Sequence, residues 1–191
     1  MVTESEKRAF IHKIGTALMG LDLQGLFPSV IIAQAALESN WGKSVLAAKY
    51  KNYFGIKVGK SGWTGKSVNM STGEYQNGES LTVRSNFRVY STVVESILDR
   101  NRLITGLDRY KAALSASTPE EQIKAIKAGG YATDPNYVQK VISIINSNNL
   151  KDWDELKKKI MNNKTLSSIM LAAGVLLAGV GIYNLSKLVK K

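Results

Sequence analysis

The sequence predicts an α+β protein, a mainly helical domain with an inserted β-hairpin, followed by one C-terminal transmembrane helix. Three observations lead to this prediction. Apolar residues recur at helical spacing over much of the first 149 residues. Two strand-like runs in the middle of the chain flank Asn77 and Gly78, a pair typical of a hairpin turn. Residues 166–185 carry no charge and are long enough to cross a bilayer.

Composition limits the chemistry that the chain can perform. It has 191 residues, a formal net charge of +11, no cysteine and one histidine, His12. Without cysteine there is no disulfide or thiolate metal site, and one histidine cannot form a His-cluster metal site. We therefore expect no metal and no cofactor. The positive charge favours anionic lipid or an acidic cell envelope, whereas no nucleic-acid-binding signature is present, so no nucleic-acid partner is expected.

Two helices are predicted near the N-terminus. Thr3 and Glu6 have the spacing of a capping box, and the apolar stripe that follows predicts a helix to about Met19. Pro28 fits the first position of a second helix, since its missing N–H has no partner to lose there. We expect this second helix to end at Gly42.

A single carboxylate, Glu38, lies in the last turn of the second helix. The C-terminal end of a helix dipole is negative, and the neighbouring side chains are apolar. Both effects should raise the pKa of Glu38, and a general acid that works near neutral pH needs a raised pKa. A solvated glutamate at a helix end is the alternative.

An aromatic-rich loop, 50–57, follows a short predicted helix over 44–49. It contains Tyr53 and Phe54. Aromatic rings present flat apolar faces that can stack on sugars, but they can equally fill a core. For Tyr53 both interpretations stay open, and for Phe54 core packing is favoured.

A β-hairpin is predicted from 67–76 and 80–89, which have strand character and flank the Asn77 and Gly78 turn. A lone hairpin is marginally stable in water, so it must pack on the helices or move over them as a lobe. Glu74, near the end of the first strand, would carry a second carboxylate toward the helical body.

Helices are predicted through the rest of the domain. Two further Thr/Glu pairs have capping-box spacing, and Asp134 with Pro135 should open another helix. Asp152 should cap a last helix, whose lysine run 157–159 suits anionic headgroups or simply solvent. The predicted helices are 92–104, 107–116, 118–129, 134–147 and one that begins at Asp152.

The segment 165–186 is predicted to cross a membrane, since about 20 residues at about 1.5 Å each span a hydrocarbon core of roughly 30 Å. Lys164 and Lys187 flank it, and a buried core helix is the alternative. Gly174 and Ala178 form a small-xxx-small pair that could support self-association. The expected organisation is a domain over 1–149, a basic juxtamembrane helix over 150–164, the transmembrane helix over 165–186 and a basic tail over 187–191.

Six segments carry a family resemblance, at 33–44, 52–57, 72–75, 87–90, 95–97 and 130–137. The first reads AQAALESNWGKS, the second NYFGIK and the last GYATDPNY. In order and spacing they resemble glycoside hydrolase family 73, the peptidoglycan hydrolases of the flagellar-muramidase and autolysin type. The resemblance implies a lysozyme-like fold over roughly 5–149. It also implies cleavage of β-1,4 glycosidic bonds in the peptidoglycan glycan strand, typically as an N-acetylglucosaminidase.

The resemblance also implies roles for individual residues. Glu38 matches the general acid, and Glu74 matches the second acidic residue, which would activate water or stabilise an oxocarbenium-like transition state. Tyr131 matches a family tyrosine close to the acid. The substrate's own N-acetyl group could instead act as the nucleophile, leaving Glu74 a supporting role. The expected substrate-binding residues are Trp41, Tyr53, Phe54 and Tyr137.

Alternatives to this function are a lytic transglycosylase or muramidase on the same substrate, and a virion structural or glycan-binding module without catalysis. The N-terminus lacks the apolar region of a secretory signal. Together with wall-hydrolase motifs and a terminal anchor, this predicts a bacteriophage protein in a virion or host membrane, acting at the cell wall. A cellular enzyme exported by another route is the alternative.

Overall fold

The computed structural model of the protein describes residues 1–59, 62–76 and 79–163, with side chains outside 72–82. These residues form eight α-helices, one 3₁₀ turn and one two-stranded sheet, so the predicted mainly helical α+β domain is confirmed. The elements are α1 (Glu4–Met19), α2 (Pro28–Ser39), α3 (Val45–Tyr50), β1 (Ser67–Gln76), β2 (Glu79–Arg88), α4 (Val93–Gly106), the 3₁₀ turn (Asp108–Tyr110), α5 (Lys111–Leu114), α6 (Pro119–Ala128), α7 (Tyr137–Ser147) and α8 (Lys151–Asn162).

Helix α2 is the centre of the domain, because α1, α6, α7 and α8 all pack against it. Ten of its twelve residues are buried, and only Leu37 and Glu38 are not. A helix enclosed by others must be apolar all round rather than on one face. The helix therefore runs through the core and brings Glu38 to the surface at its C-terminal end.

The capping box predicted at Thr3 is present, whereas at Thr92 and Thr118 the threonine caps are present without the full box. Thr3 Oγ1 accepts from the Glu6 backbone N–H at 3.3 Å, and the Glu6 carboxylate accepts from the Thr3 N–H at 2.8 Å. Thr92 and Thr118 cap α4 and α6 by accepting from residues three positions on, each at 3.1 Å. Each cap depends only on residues within one turn, which is why sequence predicts it.

Two predicted helix boundaries in the first half of the domain are wrong. Helix α2 ends at Ser39, not Gly42, because Asn40 and Trp41 adopt left-handed φ angles of 48° and 58° that no helix continues through. The predicted helix over 107–116 is instead the 3₁₀ turn followed by α5.

Two predicted aspartate caps are also wrong. Asp134 Oδ1 accepts from the Asn136 N–H at 2.8 Å, which makes a local turn, and α7 begins only at Tyr137. Asp152 lies inside the first turn of α8, whose N-cap is Leu150. In both places the aspartate stays close to a helix N-terminus, where its charge is favourable without capping.

The base of the hairpin is bound to α4 by side-chain contacts. Strands β1 and β2 pair antiparallel with Ser67 opposite Arg88 and Gln76 opposite Glu79, and the predicted turn pair between them lies outside the described residues. At the base of the hairpin, Arg88 Nη1 lies 2.8 Å from Asp99 Oδ2, and the Tyr90 hydroxyl donates to the same oxygen at 2.6 Å. These side chains are buried, so the ion pair holds the hairpin's base to the helical body.

Helix α8 packs onto the domain through two charged side chains. Lys157 Nζ donates to the Met19 and Leu21 carbonyl oxygens at 2.9 Å and 2.6 Å, where α1 ends. Asp154 Oδ1 accepts from the Ser29 N–H at 2.8 Å, where α2 begins. Lys157 is buried, so the expectation that the whole 157–159 run meets headgroups or solvent does not hold for it.

Among the residues that the structure describes, no helix is long and apolar enough to cross a bilayer. The predicted transmembrane helix over 165–186, its Gly174 and Ala178 pair and the tail over 187–191 lie outside the described residues.

Candidate active site

A cleft of about 670 Å³ opens where α2 ends, and Glu38 lies on its wall. The facing wall is the loop before α7 together with the first residue of that helix, and it supplies Tyr131 and Tyr137. Phe54, from the loop after α3, completes the apolar part of the lining. The structure therefore brings Glu38 together with aromatic residues from other parts of the sequence, among them Phe54, Tyr131 and Tyr137.

Glu38 is an exposed residue that lines the cleft, while the protein atoms packed around the end of α2 partly enclose its carboxyl group. This enclosure raises the pKa of Glu38, because burial disfavours the charged form, while contact with the Tyr137 hydroxyl lowers it to a smaller extent. The net direction is the one predicted from sequence. A raised pKa favours the protonated form, and a protonated carboxyl group that a ligand can reach is able to donate its proton.

Tyr131 and Tyr137 lie against each other, with ring centroids 6.0 Å apart and the planes tilted by 36°. Tyr137 is 3% exposed, and its hydroxyl accepts a hydrogen bond from Gln34 Nε2 at 2.8 Å. Burial, followed by the neighbouring Glu38 charge, raises the pKa of Tyr131. Both hydroxyls therefore keep their protons at neutral pH and can only act there as neutral hydrogen-bond groups.

Glu74, the predicted second carboxylate, is on β1 with its backbone opposite Leu81. Its side chain lies outside the part of the chain whose side chains are described. The distance between the Glu38 and Glu74 carboxyl groups distinguishes inverting from retaining glycosidases. The role of Glu74 therefore stays a prediction from the sequence.

The four predicted substrate-binding residues divide into two pairs. Phe54 and Tyr137 line the cleft, whereas Trp41 and Tyr53 are absent from its lining and pack on Phe10, at centroid distances of 5.9 Å and 6.2 Å. Tyr53 is 2% exposed and lies outside the cleft lining, which supports its core interpretation. Phe54 and Tyr137 are each 3% exposed, so they too are largely buried where they border the cleft, and the favoured core packing of Phe54 is supported. Trp41 contacts Phe10 of α1 from the left-handed backbone that follows α2.

Sequence reasoning missed Arg100, a fully buried cation on α4. Its guanidinium donates to Gln34 Oε1 and, at 3.1 Å, to Asn101 Oδ1. Gln34 offered a signal, since it is a polar residue in the middle of a buried helix. Arg100 offered none, because an arginine in a polar helix is ordinarily exposed.

The rim of the cleft is mainly basic. Lys57, Arg109 and Lys140 line it, and among the described lining residues the acidic ones are Glu38 and Asp134. Asp134 is paired with Lys140 at 2.6 Å, which leaves a positive balance around the opening. Such a rim attracts ligands that carry carboxylates or phosphates.

Comparison with known proteins identifies the family. Residues 17–150 match the family described as glucosaminidase, mannosyl-glycoprotein endo-beta-N-acetylglucosaminidase. The chain belongs to the glucosaminidase family. The match contains Glu38, Tyr131, Tyr137 and the whole hairpin, so the resemblance stated from the motifs is confirmed at the family level.

Curated relatives and a solved structure support this assignment. The chain is 37% identical over 176 residues to the exo-glucosaminidase LytG of Bacillus subtilis (strain 168), covering 89% of this chain and 59% of that protein. It is 40% identical over 133 residues to the peptidoglycan hydrolase FlgJ of Salmonella typhimurium, covering 68% and 42%. The catalytic domain of the Listeria monocytogenes autolysin Auto matches with a TM-score of 0.67 at 38% identity, covering 81% of this chain and 90% of that domain. The chain spans about half the length of these curated relatives.

Proposed function

We propose that the protein hydrolyses β-1,4 glycosidic bonds of the peptidoglycan glycan strand, as an N-acetylglucosaminidase with Glu38 as the general acid. One observation carries the proposal: Glu38 is a carboxyl group with a raised pKa, open to a cleft, in a chain of the glucosaminidase family. Glycosidic cleavage needs a protonated carboxyl group that can reach the leaving oxygen. The names of the relatives LytG and FlgJ supply the substrate class.

In this mechanism Glu38 begins protonated and transfers its proton to the glycosidic oxygen as the bond breaks. The Tyr137 hydroxyl stabilises the carboxylate that results, because it offsets part of the rise that burial causes in the pKa of Glu38. A positive charge develops on the sugar ring, and Glu74 or the substrate's N-acetyl group would stabilise it before water attacks. The basic rim would bind the carboxylates of the peptide stems.

Several related activities remain as alternatives. The family description names an endo-acting enzyme, whereas the relative LytG is named as an exo-acting one. A muramidase would cut the other bond of the same strand, and a lytic transglycosylase would use one carboxyl group without water. A muramidase and a lytic transglycosylase leave different ends on the product, whereas endo and exo action differ in fragment length, so product analysis separates them.

The test is digestion of purified peptidoglycan by the full chain, followed by mass spectrometry of the fragments. We expect reducing N-acetylglucosamine ends. Glu38→Gln should lower the rate by about 10²–10⁴-fold, because it removes the transferable proton but keeps the side-chain shape. Glu155→Gln, an exposed change on α8, is the control and should leave the rate unchanged. Full activity in Glu38→Gln would refute the proposed acid, and anhydro ends would establish a transglycosylase.

The rate should also depend on pH in a defined direction. Because the pKa of Glu38 is raised and its protonated form is the active one, activity should fall as pH rises through that pKa. A rate that increases continuously to alkaline pH would contradict this role.

We also infer that 165–186 anchors the protein in a membrane, which rests on its uncharged length in the sequence. Leu176→Arg places a charge at the centre of the segment and should release the full chain from carbonate-washed membranes. Val45→Arg, at an exposed position of the domain, adds the same charge and should not. A bacteriophage origin and a virion or host-membrane location remain predictions from the sequence.

A further inference from the structure

Arg100 is a buried charge without a carboxylate partner among the described residues. Desolvation lowers its pKa, and the groups around it are the hydroxyls of Tyr131, Tyr137 and Tyr110. Burying a cation in this way is costly unless neutral dipoles are aimed at it. The proposed mechanism does not use Arg100, so its cost is unexplained by the site described above.

The hydrogen bonds of Arg100 have a direction that chemistry imposes. A guanidinium can only donate, so Gln34 must turn its carbonyl oxygen toward Arg100. The Gln34 amide nitrogen then faces away and donates to the Tyr137 hydroxyl at 2.8 Å. Since that hydroxyl accepts from Gln34, its own hydrogen is free to be donated elsewhere. Glu38 lies one helical turn after Gln34 on the same face of α2 and lines the cleft together with Tyr137, so its carboxyl group is placed to accept that hydrogen.

We propose that Arg100 is a positioning residue that acts through Gln34 and Tyr137 to hold a hydrogen-bond donor on Glu38. The inference rests on the proposed function, since it assigns a purpose to that donor. As Glu38 transfers its proton it becomes a carboxylate, and a donor already directed at it stabilises the product of that step without reorganisation. Arg100 itself is fully buried and absent from the cleft lining, so it cannot touch the substrate.

Other titratable groups lie near the Glu38 carboxyl group, and their influence on its pKa must be separated from that of Arg100. Tyr137 contacts it from α7, and Tyr131 approaches from the loop before α7. The remaining titratable groups of the cleft lining are Lys57, Arg109, Tyr110, Asp134 and Lys140. None of these lies on the path from Arg100 through Gln34, so variants of Gln34 isolate the path.

The expected signature is a change in the titration of Glu38. Tyr137→Phe removes the donor, and Gln34→Met removes the group that orients it, each with little change of shape. Each should raise the pKa of Glu38 by about one pH unit, because hydrogen bonding to the charged form favours that form. In the Tyr137→Phe background, Gln34→Met should add no further shift, since both act on one donor.

The measurement is a titration of the Glu38 carboxyl carbon by NMR in the full chain, alongside the pH profile of peptidoglycan cleavage. The alkaline limb of kcat/KM should move to higher pH with the titration, and kcat should fall about tenfold while KM stays constant. Arg100→Met should behave like Gln34→Met where it folds. Arg102→Met removes a charge of the same kind from an exposed position of α4 and is the control.

The two proposals fail in distinguishable ways. If the wild type cleaves peptidoglycan but Gln34→Met leaves the Glu38 titration unchanged, the positioning role is refuted and the proposed function stands. If no glycan is cleaved but the titration shifts as expected, the positioning network is supported and the proposed function is refuted. A uniform loss of activity at every pH, without a shift of the alkaline limb, would show that Gln34 is merely structural.

Discussion

Asp154 on α8 makes a stability prediction that follows directly from its surroundings. Its Oδ1 accepts from the Ser29 N–H at the start of α2, while Oδ2 and the Ser29 hydroxyl have no hydrogen-bond partner among the described residues. Burial raises the pKa of Asp154 from 3.8 to about 6. The substitution Asp154→Asn keeps the acceptor for Ser29, removes the charge and adds a donor that the Ser29 hydroxyl lacks.

The magnitude comes from linkage between protonation and folding. A folded pKa about two units above the unfolded one means that the folded state disfavours the charged form by about 3 kcal/mol at most. Partial exposure of Asp154 screens this cost, so we expect about 1–2 kcal/mol. Below about pH 4 Asp154 is neutral in both the folded and the unfolded state, and the wild type then has its full free energy of unfolding. This contribution is lost as the pH rises through about 6 and the folded state must carry the buried charge.

The assay is urea denaturation of the full chain at pH 4.0 and pH 7.5, followed by circular dichroism. We expect Asp154→Asn to be more stable than the wild type by about 1–2 kcal/mol at pH 7.5 and nearly equal to it at pH 4.0. Asp152→Asn, an exposed change in the same helical turn, should show no such pH-dependent gain. Destabilisation at pH 7.5, or an equal gain at both values, would refute the reasoning.

Three further predictions concern packing and backbone. Asp99→Ala removes the carboxylate that pairs with the buried Arg88 guanidinium and should lower the free energy of unfolding in urea by about 3–5 kcal/mol; a loss below about 1 kcal/mol would contradict the ion pair's role. Gly15→Ala would place a methyl group 2.6 Å from the Trp153 ring, so the free energy of unfolding should fall by about 1–3 kcal/mol and the thermal midpoint should fall with it. An unchanged midpoint would show that Trp153 and α8 shift without cost. Asn40→Ala should cost about 1 kcal/mol in urea denaturation because of its φ of 48°, whereas Asn40→Gly should not; equal effects would refute backbone strain.

Local features of the fold were accessible from the sequence because they depend on neighbouring residues. The Thr3 capping box and the Pro28 start of α2 were predicted correctly, and so were the two hairpin strands to within one residue. Errors occurred where a short side chain competes with a helix start, as at Asp134 and Asp152. There the same chemistry supports a cap, a turn or a position inside the helix, and local sequence does not choose among them.

The candidate site shows the limit more clearly. Tyr53 and Phe54 are adjacent in an aromatic loop, yet Phe54 lines the cleft and Tyr53 is enclosed by α1. From the sequence both roles stay open for Tyr53 and core packing is favoured for Phe54, yet it is Phe54 that borders the cleft. Which of them reaches the cleft depends on where α1 and α2 pack, a long-range property that composition and spacing do not contain.

The sequence by itself predicted that Glu38 would lie in the last turn of an apolar helix and that its apolar neighbours would raise its pKa, with a solvated glutamate as the alternative. The tertiary structure alone decided what surrounds that carboxyl group. Tyr137 comes from α7 and Gln34 from the interior of α2, and Arg100 comes from α4. Their meeting is set by the packing of three helices, and a buried arginine that has no carboxylate partner among the described residues has no local pattern from which it could be predicted.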